Sequence, residues 1–188
     1  RAGALYHDHL CCGVSTGYLI SNYILDQFPL SQGQSYLYLG IPAWCQDDLI
    51  MTALNVTPGK HGYVTMAYPW GRPWQTKEKS YSNLGGIIIR KDSSGGEARV
   101  LSFDWQFAAF KNFAGLSPDA PLDWKATPWL HVLYNRFLAS RAYRPAAFVS
   151  TVASKRFNTP AQVNELTRLG TNPLTVLLGP DPQWRTTP

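Results

Sequence analysis

Charge is scarce in this 188-residue chain, at 15% of residues against 45% hydrophobic. That balance excludes intrinsic disorder, which needs abundant charge and little apolar content. Long apolar runs are missing as well. None approaches the roughly 20 residues that span a bilayer, so no membrane-spanning helix is expected. Runs of Lys and Arg are also absent. The net charge is +5, but the basic residues form only loose groups at Lys77, Lys79, Arg90 and Lys91 and at Arg136, Arg141, Arg144, Lys155 and Arg156. No nucleic-acid motif accompanies them, so a solvated surface is expected and a nucleic-acid partner is not. Cysteine is limited to Cys11, Cys12 and Cys45. An odd count makes a poor disulfide framework, and adjacent Cys11 and Cys12 cannot both pair with Cys45. One disulfide plus a free thiol, or ligation of a metal, both stay open. There is no CxxC pair for a zinc ribbon, no CxxCH for covalent haem attachment, no P-loop and no glycine-rich dinucleotide turn after a strand.

What is present suits one domain with a proper core. Residues 15–28 carry apolar positions at a helical period, and Pro29 ends the run. Ser35–Gly40 alternates like a strand. Pro42 to Asn55 reads as a helix with Pro42 in its first turn. Thr57-Pro58-Gly59-Lys60 is a turn, Tyr63–Tyr68 a strand, and residues 69–83 a loop rich in Trp, Lys and Ser. Gly86–Arg90 and Ala98–Phe103 form a hairpin around a turn at Asp92–Gly96. Trp124 to Ala142 has a helical stripe at Trp129, Leu130, Leu133, Phe137 and Leu138. Ala146–Ser154 is read as a short helix. Thr159-Pro160-Ala161-Gln162 starts another that runs to about Leu169, with Thr159 as N-cap and Gln162 closing a capping box. A last apolar segment follows at Leu174–Leu178. This order predicts an α+β fold in one domain over residues 1–188. An α+β core occupies 1–115, and a helical extension over 116–188 packs on its sheet without an intervening linker.

The residues that carry chemistry are His7, His9, Cys11, Cys12, Cys45 and Asp48. Nitrogen and sulfur donors suit zinc, iron, nickel or copper and suit magnesium or calcium poorly. In an extended loop alternate residues share a side, so His7, His9 and Cys11 would converge while Cys12 points away. On the following helix Cys45 and Asp48 are three apart and share a face. Two other readings use the same residues. The cysteines are small buried apolar side chains, or Cys11 or Cys12, near a helix start and beside His9, is an activated thiol nucleophile.

His7-Asp8-His9-Leu10-Cys11-Cys12-Gly13, followed by Gly17-Tyr18, resembles the HGHLCPG…GY opening of FmdE, a family named for formylmethanofuran dehydrogenase. Cys45-Gln46-Asp47-Asp48 and Thr57-Pro58-Gly59-Lys60 are similar to its CxxD…TxGK segment, and Ile87 to Phe103 to its hairpin. The resemblance implies an α-β-α-β(3) core with a mixed sheet, a zinc site, a cytoplasmic protein, and a homodimer or a component of a larger assembly. A leader peptide ahead of Arg1 would instead imply export. Position by position, His9, Cys11 and Cys45 match the family's metal ligands. Asp48, Thr57, Gly59 and Lys60 match its other signature positions, and the last three are candidates for cofactor binding. Four positions depart from the pattern. Asp8 and Asn55 stand where the family has Gly, Cys12 where it has Pro, and Val56 where it often has a further Cys. The zinc-ribbon tail of many members is absent, which makes a stand-alone form the expectation.

The function this implies is a transition-metal-binding accessory protein of a redox or C1-metabolism enzyme system. One alternative is a metal-dependent enzyme with an open coordination position, with Asp48 or His7 as general base. Another is a haem- or cofactor-binding component of a larger complex, with His9 as axial ligand and Trp70, Trp74 and Tyr81 covering the ring.

Overall fold

A computed structural model describes residues 5–41, 43–66 and 84–179. Helix α1 (Cys12–Gln27) leads into strand β1 (Ser35–Gly40), helix α2 (Cys45–Ala53), a 3₁₀ turn at Pro58–Lys60 and strand β2 (Tyr63–Thr65). The hairpin β3 (Leu84–Lys91) and β4 (Gly96–Phe103) follows, then α3 (Phe107–Phe113) and α4 (Trp129–Ser140). Strand β5 (Val149–Phe157) and the short helices α5 (Pro160–Glu165) and α6 (Pro173–Leu178) complete the described chain. The sheet order is β2-β1-β3-β4-β5, with β1/β2 parallel and the other pairs antiparallel. The fold is therefore α+β with a mixed sheet.

Period-two alternation sends β1 side chains to opposite faces, and both faces are covered. Tyr36 and Tyr38 join Ile88, Leu101 and Phe103 under α1 and α4, where Leu19, Ile20, Ile24, Tyr134 and Phe137 are buried. Leu37 and Leu39 join Ile87, Ile89 and Val100 on the other face, under Val163, Leu166 and Leu174. A parallel pair needs a crossover connection. Here α2 is that crossover, which sets the Cys45 end of the helix just after the end of β1.

Several expectations are corrected. Ala146–Ser154 is not a helix. A 3₁₀ turn at Pro145–Ala147 gives way to β5, which pairs with β4 from Phe103↔Val149 to Gly96↔Phe157. The alanines favour a helix locally. The outer edge of β4 would otherwise leave a row of unpaired backbone groups, and pairing it outweighs local propensity. The extension thus contributes a strand as well as helices. Pro42, expected in the first turn of the second helix, lies outside the described residues, and that helix starts only at Cys45. Helix α3 is an addition to the expected elements, and α5 stops at Glu165, short of Leu169. The Thr159 cap is present: its hydroxyl accepts from the Gln162 amide at 3.3 Å, while Gln162 Oε1 accepts from the Asn158 amide. The aromatic loop of Trp70, Trp74 and Tyr81 lies outside the described residues.

The end of α1 is clamped to the hairpin. The Arg90 and Arg99 guanidinium groups lie over the Phe28 ring, 4.3 and 4.0 Å from its centroid. Both arginines also donate to carbonyls at the helix end, Pro29 and Gln27. Glu97 pairs with Arg99 at 2.9 Å, with Arg90 at 3.6 Å and with Arg156 at 3.8 Å. Glu97→Ala is expected to cost about 1 kcal/mol, since partly exposed pairs are weak singly but a network adds up. The urea midpoint should fall in low salt, and the difference from wild type should shrink in high salt, which screens exposed charges.

Candidate metal centre

Two glycines decide that Cys11 and Cys45 meet. Gly13 and Gly17 are one helical turn apart on α1 and face α2. A Cβ at Gly13 would lie 2.7 Å from Cys45 Cβ, and one at Gly17 would run into the Gln46 carbonyl oxygen. Without side chains there, the two helices approach closely. From the Gly13 Cβ position the Cys45 and Cys11 sulfurs are 3.5 and 3.6 Å away.

The loop before α1 supplies the third donor. Asp8 has φ 71°, a left-handed conformation that aspartate tolerates better than most residues. The loop is therefore turned rather than extended, and the alternation expected of His7, His9 and Cys11 does not hold. His7 turns inward. Its Nδ1 is 2.6 Å from Asp48 Oδ2, and its Nε2 is 3.7 Å from Cys11 Sγ. Donor atoms of His7, Cys11 and Cys45 all lie within 4.8 Å of one another. His9 stays on the exposed side of the turn, its ring centroid 4.7 Å from that of His7.

The electrostatics fit a site that binds a cation. The hydrogen bond to Asp48 raises the His7 pKa, and burial opposes it. The Cys11 thiol is held well below its ordinary range. The Cys45 thiol beside it is the main cause, and the Val14 and Gly13 amides and His7 assist. Cys45 moves up through its hydrogen bond with Cys11 and through burial. Two sulfurs and an imidazole form a donor set that fits a transition metal.

Cys12 turns the other way. Burial pushes its thiol up to about 12, and its sulfur is 3.2 Å from His131 Nδ1, which also accepts from the Cys12 amide at 3.3 Å. His131 lies on α4, 119 positions away in the sequence, and no local signal marks it.

Asp47, beside the candidate Asp48, is a further residue that spacing does not single out. It is buried and accepts from Tyr38 Oη at 3.1 Å, from Tyr63 Oη at 3.0 Å and from the Trp44 amide at 3.1 Å. A helix start at Cys45 makes Asp47 the N3 residue of a capping box, a readable signal once the start is placed correctly. Burial raises its carboxyl to about 6, against the hydrogen bonds from Trp44, Tyr63 and Tyr38. Its stabilising contribution is thus full below about pH 4 and is lost as pH rises through about 6. Asp47→Asn should abolish that loss. Between about pH 4 and about pH 7, wild type should lose on the order of 2 kcal/mol relative to the variant, read by chemical denaturation.

The remaining candidates lie at the other end of α2. Val56 is buried in the core under the helices. Thr57, Gly59 and Lys60 form the 3₁₀ turn, and Lys60 donates to Asn55. A nine-residue helix separates them from Cys45 by roughly 12 Å. Among the described residues no hydrogen bond joins this turn to His7, Cys11 or Cys45.

Residues 6–97 match the family described as FmdE, Molybdenum formylmethanofuran dehydrogenase operon. Over that segment, just under half of the chain, the sequence is similar to the FmdE family. No curated protein matches the chain. The FmdE segment runs from the turn before His7 into β4 and holds all three converging donors and Asp48. His131, β5 and the helices α3 to α6 lie beyond it. No helix among the described residues is long and apolar enough to cross a membrane.

Proposed function

We propose that this chain is a transition-metal-binding accessory protein of a redox or C1-metabolism enzyme system, with zinc as the metal and His7, Cys11 and Cys45 as its ligands. The observation that carries the reading is the convergence of one nitrogen and two sulfur donors within 4.8 Å. The FmdE family description, which refers to the formylmethanofuran dehydrogenase operon, supports the accessory role. Asp48 would orient His7 through Nδ1 and raise its basicity, as carboxylate partners of ligating histidines do. Exposed His9 is the donor nearest at hand for a fourth position, reached by a shift of the Asp8 turn. Thr57, Gly59 and Lys60 are assigned to contact with a cofactor or partner, since their turn is remote from the donors.

Protein purified without chelator should carry one transition metal per chain by elemental analysis. No stoichiometric metal, together with an EDTA-insensitive melting temperature, would overturn the reading. Asp48→Asn is expected to weaken zinc binding by about 10–100-fold in chelator competition, the range typical of such supporting partners.

A second reading is favoured by the count of converging donors among the described residues, three rather than four. Zinc with three protein ligands and an exchangeable position acts as a Lewis acid toward a bound water or carbonyl. His7, engaged at both ring nitrogens, is poorly placed as a base there, which leaves Asp48. X-ray absorption of the zinc-loaded protein discriminates the two, through a fourth protein donor or an exchangeable oxygen. Leu5, Tyr6, Leu10, Trp44 and Trp129 are exposed large apolar residues; Leu5, Tyr6, Leu10 and Trp44 are close in sequence to the donors. Their exposure supports a homodimer or docking on a larger assembly. Light scattering on the purified chain distinguishes a dimer from a monomer awaiting other partners.

A further inference from the structure

The same side chains carry a second chemistry that needs no metal. Cys11 Sγ, His7 Nε2, His7 Nδ1 and Asp48 Oδ2 follow one another as thiol, imidazole and carboxylate, at 3.7 and 2.6 Å. This is the order of a nucleophile, its base and the group that orients the base. Cys11 is also the N-cap residue of the 16-residue helix α1. Cys45 presents a second sulfur within 4.8 Å of the first. Cys12 is directed away, toward His131.

The geometry points to a peroxide-reactive dithiol in the metal-free protein, with Cys11 as the attacking thiol and Cys45 as the resolving one. Cys11 is only 3% exposed, so the oxidant must be small, and hydrogen peroxide or a short alkyl hydroperoxide is the matching class. The Cys11 thiolate attacks the distal peroxide oxygen and the O–O bond breaks. The departing hydroxide or alkoxide takes a proton from the His7 imidazolium, leaving Cys11 as sulfenic acid. The Cys45 thiol then attacks the Cys11 sulfur. A disulfide forms, the S–O bond breaks, and water leaves with the Cys45 proton. Two sulfur electrons in all reduce one peroxide to water or to water and alcohol. Two equivalents of a low-molecular-weight thiol restore the dithiol. Gly13 leaves the space in which the sulfurs approach, since its missing Cβ would sit against both. The oxidised pair has no thiolate to offer a metal, so peroxide would unload the centre. This last consequence rests on the metal reading above; the dithiol chemistry does not.

The test uses the full chain stripped of metal and treated with hydrogen peroxide, followed by alkylation under denaturing conditions. The expected result is a mass lower by two hydrogens, a Cys11–Cys45 linked peptide and one alkylated thiol, that of Cys12. The rate should exceed that of free cysteine at the same pH by about tenfold or more, as a thiol with an oriented imidazole within reach implies. His7→Ala should slow it by about fivefold or more through loss of the proton donor, and Cys12→Ser should leave it unchanged. In Cys45→Ser the sulfenic acid should persist and be trapped by dimedone. No disulfide, a disulfide through Cys12, a rate equal to that of free cysteine, or a His7→Ala rate equal to wild type would each overturn the proposal. The wild-type mass shift decides the matter even if a variant does not fold. Stoichiometric metal without this oxidation leaves the metal reading standing and removes this one, and the converse result does the reverse.

Discussion

Cys45→Ser is expected to lower zinc affinity by about 10²-fold or more. Structural zinc contributes about 10–16 kcal/mol when bound by about four ligands, so one thiolate is worth on the order of 3 kcal/mol, and each 1.4 kcal/mol is about tenfold. Serine keeps the shape but offers a poor donor. Because metal binds the folded state preferentially, the loss should also appear as a lower melting temperature in excess zinc. In chelator the melting temperatures of variant and wild type should lie close together, since Cys45 is only half-buried. Chelator competition and paired melting curves check both parts. A variant that binds zinc as tightly as wild type would remove Cys45 from the site.

Gly17→Val is expected to be the most destabilising single change outside the aromatic core. The added Cβ would meet the Gln46 carbonyl oxygen, and its carbonyl carbon and Cα at 3.0 Å. Backbone cannot rotate out of the way as a side chain can, so α1 and α2 must separate. A cost of about 3 kcal/mol or more follows, the upper end for overpacking. It is a large part of the roughly 5–15 kcal/mol typical of a domain. Metal binding should fall with it, because the same contact brings Cys45 to Cys11. Gly59→Ala is the control. Nothing lies within 4 Å of its Cβ position, and the change should stay within about 0.5 kcal/mol. Urea denaturation of both variants, with and without zinc, makes the comparison.

The helices, strands and hairpin turn of the FmdE segment are legible in the sequence because their apolar periods agree with the structure. Residues 15–28 fall on α1 and its C-cap, and Gly86–Arg90 and Ala98–Phe103 fall inside β3 and β4. The extension is less legible. Residues 149–157 alternate too weakly to declare a strand, and only the open edge of β4 makes them one. Two departures from the family pattern acquire a reason in the backbone. Asp8 and Asn55 stand where the resemblance leads one to expect Gly, and both sit at positive φ, 71° and 58°. Asp and Asn are the residues that best tolerate such a conformation after glycine.

Residue types and spacing alone single out the cluster of His7, His9, Cys11, Cys12 and Cys45 with Asp48, and they also determine the α+β class. Which of those side chains meet is decided only in three dimensions. The left-handed turn at Asp8 rotates His7 inward and leaves His9 outside. The Gly13 and Gly17 contact brings Cys45 to Cys11. The crossover of α2 carries Thr57, Gly59 and Lys60 to its far end, and α4 delivers His131 to Cys12. Spacing along a chain predicts neighbours only within one regular element. The donors here come from a turn, a helix cap and a second helix, so their meeting depends on a backbone dihedral and a close helix contact that no local pattern encodes.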